Sequence, residues 1–191
     1  MVGWEDAVGW SRVAQPAQHS WGGGAQPLRW QELERPKADH EPNALACYGL
    51  LVRHHPTAPE QMLGRFVTGR PVSAITTAFL AECSAQLAAQ GVTAVLLGWA
   101  HASWHPSQAV RTWVRTQNQS VKRTGQGVRI VPCRLPVQSP WLNPIEPTWV
   151  HGKRAVSEPA RLLSADELEA RVCAYYDGTR EAHLVMPKQV A

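Results

Sequence analysis

Apolar residues divide the chain into alternating strands and helices. Buried strands are predicted where apolar residues run continuously, over residues 44–53, 62–68, 92–99 and 128–132, after a short extended piece at Val2–Asp6. Helices are predicted where the apolar period is three to four: residues 75–87 before Gly91, residues 110–114 after Pro106, residues 146–156, and residues 165–175 behind the Ser164…Glu167 capping box. Strands first, then alternating helices and strands, then helices, is the order of an α/β fold with a mixed sheet flanked by helices.

The connecting segments are predicted from their turn residues. Trp-, Gly- and Pro-rich loops fill most of the first forty residues, and a turn is expected over residues 122–127. The segment after Asp177 has no periodicity and is expected to be frayed. With 191 residues, the chain is predicted to form one domain over residues 1–176, followed by an irregular tail over 177–191.

Composition excludes several classes of protein. A hydrophobic fraction of 44% argues against widespread disorder, and no apolar run is long enough for a membrane span. The first ten residues hold two acids and no Lys or Arg, unlike a secretory leader. The four cysteines form no CxxC pair and are interpreted as buried small hydrophobes. A soluble cytoplasmic protein with no membrane partner is expected.

Positive charge is concentrated in one segment. Residues 100–155 carry eight bases and one acid, so their net charge is +7, whereas the rest of the chain sums to −3. Such a field favours an anionic partner, with nucleic acid the first candidate. A solvated basic face would have the same composition, and charge does not separate the two.

The single acid in that segment is a candidate ligand. Glu146 follows Asn143-Pro144-Ile145 at the predicted start of a helix, and Asp6 ends the first extended segment. Carboxylate oxygens suit a hard divalent cation such as Mg²⁺, which otherwise keeps water and phosphate ligands. By themselves both residues are ordinary, because an Asp at a strand end is more often a turn former.

The string SPWLNPIEPTWVHGKR, residues 139–154, is the most specific stretch of the chain. Together with Glu5-Asp6, Trp10-Ser11-Arg12, residues 44–51 and Ala102-Ser103-Trp104-His105, it resembles the DDE-superfamily endonuclease domain of bacterial insertion-sequence transposases, in their mariner-related branch. The resemblance extends from about Glu5 to Tyr176. It implies a ribonuclease-H-like fold in which three carboxylates bind two Mg²⁺ ions that cut and join DNA.

The resemblance assigns roles to individual residues. Asp6 matches the first catalytic and metal-binding acid of the family and Glu146 the third. The middle acid belongs at the end of the strand over 92–99, in a pattern like W-D-N-A-S-W-H, where this chain has Ala100. A methyl group cannot ligate a metal, so the cluster is expected to be incomplete and binding of Mg²⁺ or Mn²⁺ weakened.

Other departures point the same way. Ala7 replaces the acid that usually follows the first Asp, and only Met1–Glu5 precede Asp6, so a truncated first strand is expected. The helix-turn-helix segment found upstream in such transposases is absent from the sequence. These features suggest a decayed or truncated product.

The sequence also contains candidate substitute ligands and candidate DNA contacts. Imidazole is a poor ligand for Mg²⁺, so His101 is not expected to replace the missing acid, and His101 with His105 is an improbable metal pair next to Pro106. Trp141 and Trp149 flank Glu146 as possible base-stacking walls, although core packing is the commoner role. The predicted phosphate contacts are Arg111, Arg115, Lys122, Arg123, Lys153 and Arg154.

Two functions follow from the sequence. One is a transposase catalytic domain for DNA cleavage and strand transfer, impaired because the middle ligand is Ala100. The alternative is a catalytically inactive remnant that binds double-stranded DNA non-specifically or forms a homo-oligomer.

Overall fold

The structure of the chain is a computed structural model that describes residues 1–13, 20–21, 27–28, 35–55, 57–69, 72–99, 107–136, 139–158 and 161–185. Its strands are β1 Val2–Ser11, β2 Ser20–Trp21, β3 Pro27–Leu28, β4 Ala44–Arg53, β5 Gln61–Val67, β6 Ala94–Trp99 and β7 Arg129–Arg134. Its helices are α1 Ser73–Ala89, α2 Gln108–Thr124, α3 Ile145–Val156 and α4 Ala165–Tyr175. Of the helices so described, none combines the length and the hydropathy needed to cross a lipid bilayer.

Five strands form one mixed sheet in the order β5-β4-β1-β6-β7. Strands β1, β4 and β5 are antiparallel neighbours, whereas β6 runs parallel to both β1 and β7. The two-residue strands β2 and β3 pair separately. The predicted mixed sheet with flanking helices is therefore confirmed.

The sheet has a hydrophobic core on each side. Residues Val110 and Val114 of α2 pack with Phe79 and Leu87 of α1 against one side, here called the α1/α2 face. The other side, the α3/α4 face, is covered by Trp149 of α3 and by α4. Because side chains alternate along a strand, neighbouring residues of β1 belong to different cores.

The first strand is longer than the sequence predicts. Strand β1 continues past Asp6 to Ser11 and pairs with β4 along all ten residues. The predicted end of the first extended segment at Asp6 is therefore wrong: residues 7–11 continue the strand because their backbone pairs with β4. With β6 paired on its other side from Val2 to Glu5, β1 is central to the sheet.

Capping residues set the helix ends. The backbone N–H of Val110 donates to Ser107 Oγ at 3.3 Å, so α2 begins after Ser107, and Pro106 lies outside the described residues. The helix continues through Thr124 to Gly125, whose φ of 69° ends it, so the turn predicted over 122–127 begins later. The Ser164 capping box is confirmed, because Ser164 Oγ accepts from the N–H of Glu167 at 3.1 Å.

Residues 178–185 are held against the sheet. The N–H of Leu184 donates to the Phe66 carbonyl at 2.8 Å, and the N–H of Thr68 donates to the Leu184 carbonyl at 2.9 Å. His183 also lies 2.8 Å from the buried Glu169 carboxylate. The expected fraying after Asp177 is therefore wrong up to Val185, because the segment extends the edge of β5.

All four cysteines are free. Cys47 and Cys83 are buried, as predicted, and burial raises the pKa of the Cys47 thiol to about 12. Cys133 is exposed on the edge strand β7 and Cys173 is only partly buried, so the interpretation as buried hydrophobes is wrong for Cys133 and holds only in part for Cys173.

Candidate active site

Asp6 is directed to the α3/α4 face of the sheet. Its partner across the β1–β4 ladder is Gly49, and directly paired residues of antiparallel strands project to the same side. The side on which a Cβ of Gly49 would lie is occupied by the indole of Trp149, with Cη2 only 2.3 Å from that position. The half-buried Asp6 therefore projects to the side of the sheet that Trp149 covers.

Glu146 lies in the first turn of α3, three residues before Trp149. The turn is closed by the Asn143 carbonyl, which accepts from the N–H of Glu146 at 3.1 Å. Residues three apart on a helix lie on neighbouring positions of its surface, about 5–6 Å apart at Cβ. Two acids separated by 140 positions in the sequence are thus brought to the same face of the sheet, both close to Trp149.

An aromatic cluster holds α3 in this position. The ring of Trp149 is edge-on to Trp10 at 5.8 Å and to Tyr176 at 5.6 Å between centroids. The Tyr176 hydroxyl donates to the Thr148 carbonyl at 2.9 Å, and burial raises the pKa of this phenol, so it remains a neutral donor. The helix that carries Glu146 is therefore held in place by a packed core.

The two tryptophans that flank Glu146 differ in exposure. Trp149 is only 4% exposed and fills the core, so stacking on a nucleic-acid base is wrong for this residue. Trp141 is 76% exposed in the turn before α3 and remains available for such a contact.

Asn143 is a polar residue of this region that the sequence reasoning did not single out. It is 1% exposed, and neither atom of its side-chain amide has a hydrogen-bond partner among the described residues. The available signal was its place in the NPIE part of the residue 139–154 string. Asn143 lies three residues before Glu146, and so it is part of the turn that leads into α3.

The middle position of the cluster follows directly on β6. That strand ends at Trp99, which pairs with Glu5, the neighbour of Asp6. Ala100, His101 and His105 lie outside the described residues. Within the described ranges, no three His, Cys, Asp or Glu side chains are grouped as a metal site would require.

The donor set fits one ion better than two. Mg²⁺ is commonly bound by one or two carboxylates, with water and substrate phosphates as its other ligands. Asp6 and Glu146 are two such carboxylates. A two-metal centre needs further negative ligands, and Ala100 supplies none.

The six predicted phosphate-contacting bases do not form one surface. Lys153 and Arg154 are exposed on α3, and Lys153 is seven residues, about two turns, after Glu146. The remaining four are exposed on α2, across the sheet, at Arg111, Arg115, Lys122 and Arg123. The charge-rich segment of the sequence is therefore divided between the two faces.

Known structures share this fold. The Mos1 transposase paired-end complex with left transposon end matches with a TM-score of 0.64 and 15% identity, covering 94% of this chain and 48% of that chain. The Mos1 mariner paired end complex with Mn matches at 0.60 and 14%, with the same coverage of 94% and 48%. The simian T-cell lymphotropic virus intasome in complex with PP2A regulatory subunit B56 gamma matches at 0.52 and 10%, covering 91% and 47%. The chain spans about half the length of these proteins, and the likeness confirms a ribonuclease-H-like fold.

Sequence comparison identifies the family. No curated protein matches the chain in sequence. The family model described as DDE superfamily endonuclease matches residues 62–169, more than half of the chain. Glu146 and position 100 lie inside that range and Asp6 lies before it. The chain belongs to the DDE superfamily endonuclease family.

Proposed function

We propose that the chain is the catalytic domain of an insertion-sequence transposase whose DNA cleavage is impaired because Ala100 stands in place of the middle acid. The observation that supports the proposal is the packing of Trp149 on Gly49, because Gly49 is the ladder partner of Asp6 and Trp149 follows Glu146 by three residues on α3. Family membership and the fold shared with Mos1 transposase support the same function.

The residues on and around α3 have distinct chemical roles in this proposal. Asp6 and Glu146 would hold Mg²⁺ or Mn²⁺, and a bound ion supplies Lewis-acid activation of the oxygens that attack and leave a phosphodiester. Lys153, on the same helix as Glu146, is placed to contact a DNA phosphate and so to position the strand. The edge-on packing of Trp149 against Trp10 provides an apolar, rigid surface beneath α3 near these residues.

The impairment follows from the ligand count. With two carboxylates instead of three, the ion is held more weakly and the reacting oxygens are less well positioned. A misplacement of about 1 Å alone can lower a rate by about 10²-fold. The proposal therefore includes a metal affinity and a cleavage rate far below those of a complete cluster.

Cleavage of a supercoiled plasmid in Mg²⁺ or Mn²⁺ tests this proposal. We expect no nicking above background from the unmodified chain and measurable nicking from Ala100→Asp, which is lost again in Ala100→Asp/Glu146→Gln. Binding of Mn²⁺, measured by calorimetry, should rise in Ala100→Asp and fall in Glu146→Gln.

Two results would overturn the proposal. Nicking by the unmodified chain that Glu146→Gln abolishes would show that the cluster is not impaired. Unchanged Mn²⁺ binding in both Asp6→Asn and Glu146→Gln would show that these acids are not the ligands.

A second function is favoured by Ala100 together with the exposed bases: a non-catalytic domain that binds double-stranded DNA non-specifically or forms a homo-oligomer with an intact copy. It differs from the first in one measurement, since Ala100→Asp would then leave cleavage at background. A cytoplasmic location belongs to both proposals, since both act on chromosomal DNA, and the four free thiols are compatible with it.

A further inference from the structure

We propose that the α1/α2 face is a separate DNA-binding surface, which contacts the phosphate backbone of a duplex on the side of the sheet opposite Asp6 and Glu146. The inference goes beyond the proposed cleavage activity, because such binding needs neither a metal ion nor strand cutting, and it deepens the second proposed function by naming the surface that binds DNA. It rests on three features of α1 and α2: the spacing of bases, the lack of compensating acids, and the rigid attachment of α2.

The bases of α2 form a straight stripe. Arg111, Arg115 and Lys122 are four and seven residues apart, which places them on one side of the helix. All three are exposed, and the stripe is about 17 Å long at 1.5 Å per residue. That length corresponds to about five base pairs at 3.4 Å each. Arg123 adds a fourth exposed base next to Lys122.

Almost no acid compensates this charge. Helix α2 contains no Asp or Glu, and the one acid of α1 is Glu82, which lies 3.3 Å from Arg65. In the part of the chain that the structure describes, no acid is within ion-pair distance of Arg115, Lys122 or Arg123. By contrast, α4 on the opposite face has three acids and one base.

The stripe is mounted on a fixed helix. Asn118 accepts from the N–H of Ile130 at 2.8 Å and donates from Nδ2 to the Ile130 carbonyl at 2.7 Å, which joins α2 to β7. Buried Val110, Val114 and Val121 hold the other side of the helix in the core. Exposed Gln108, Thr112 and Gln119 lie beside the bases as further donors to phosphate oxygens. A rigid row of cations with polar neighbours suits a polyanionic backbone and carries no means of reading bases.

The test measures binding of a fluorescent 30-base-pair duplex by polarisation, in EDTA, between 50 and 200 mM salt. Neutralising a phosphate releases counterions, so each contact contributes about 0.9 to the slope of log affinity against log salt. We expect Arg115→Ala/Lys122→Ala to lower that slope by about 2 and to weaken binding at least tenfold at the lowest salt. Lys37→Ala is the control: it removes an exposed positive charge from a turn that is distant from α2 in the sequence, and it should bind like the parent.

A second pair of variants separates the two faces. Binding that survives Lys153→Ala/Arg154→Ala and disappears when Arg115→Ala/Lys122→Ala is added would locate it on the α1/α2 face. The inference is overturned if Arg115→Ala/Lys122→Ala binds with the slope of Lys37→Ala, or if Lys153→Ala/Arg154→Ala alone abolishes binding. Because no metal is present, a failure of the cleavage experiment leaves this result unaffected.

Discussion

Replacing Gly49 by alanine tests whether contact with the sheet sets the position of α3 and Glu146. The new Cβ would lie 2.3 and 2.4 Å from Cη2 and Cζ2 of Trp149, whereas ordinary contacts begin at 3.4 Å. The indole must therefore move by about 1 Å. Trp10 and Tyr176 pack edge-on against the same ring, so the movement cannot be absorbed by the side chain alone and α3 is displaced with it.

The cost follows from overpacking. Inserting a methyl group into a packed core destabilises a protein by about 1–3 kcal/mol. For a domain of this size each kcal/mol lowers Tm by about 2–4 °C, so a fall of between about 2 and 12 °C is expected. Displacement of Glu146 should in addition weaken Mn²⁺ binding by Ala100→Asp/Gly49→Ala relative to Ala100→Asp.

Gly64→Ala is the matched control, because Gly64 pairs directly with Gly49 in the β4–β5 ladder. Its nearest heavy atoms to a new Cβ are at 3.8 and 3.9 Å, which is ordinary contact. Losing a glycine there should leave stability unchanged or raise it by about 0.4–1 kcal/mol. Urea denaturation of both variants decides the matter: if Gly49→Ala is as stable as Gly64→Ala, Trp149 does not lock α3 onto β4.

Two further predictions concern the N-cap of α2 and the ion pair between Arg12 and Asp39. Ser107→Ala should destabilise the protein by about 1 kcal/mol, because Val110 loses its capping acceptor, whereas Ser107→Asp should keep the cap; equal urea midpoints for the two variants would contradict this. Hydrogen bonds from Arg12 hold the pKa of Asp39 below its usual 3.8, so the stabilisation from this carboxylate is present above pH 3.8 and is lost as the pH falls through the lowered folded-state pKa. Asp39→Asn should therefore lose less stability than the parent on acidification, measured as urea midpoints from pH 7 to pH 2.5. If the midpoints of variant and parent fall equally with pH, the Arg12–Asp39 pair does not have this role.

Local pattern was sufficient for most elements of the fold. The four-residue repeat of Ile75, Phe79, Cys83 and Leu87 indicates α1 because a buried helix face has that period. The second half of β1 and the docking of residues 181–185 could not be predicted in the same way. In β1 the alternation of Trp4, Val8 and Trp10 is interrupted by Asp6, and residues 181–185 have no apolar repeat. Both segments are held by backbone hydrogen bonds to residues distant in sequence, β1 to β4 and Leu184 to β5.

The amino-acid sequence by itself determined which acids and bases are present, and that position 100 has no ligand atom. Only the tertiary structure decided which of them share a surface. Asp6 projects to the α3/α4 face because side chains alternate along β1, and α3, which carries Glu146, packs on that same face because Gly49 has no side chain where the Trp149 indole lies. Arg115 and Lys153 belong to one basic segment of the sequence, but their helices pack on opposite faces of the sheet. Each helix buries its apolar side chains against a different core, so the sheet lies between the two bases.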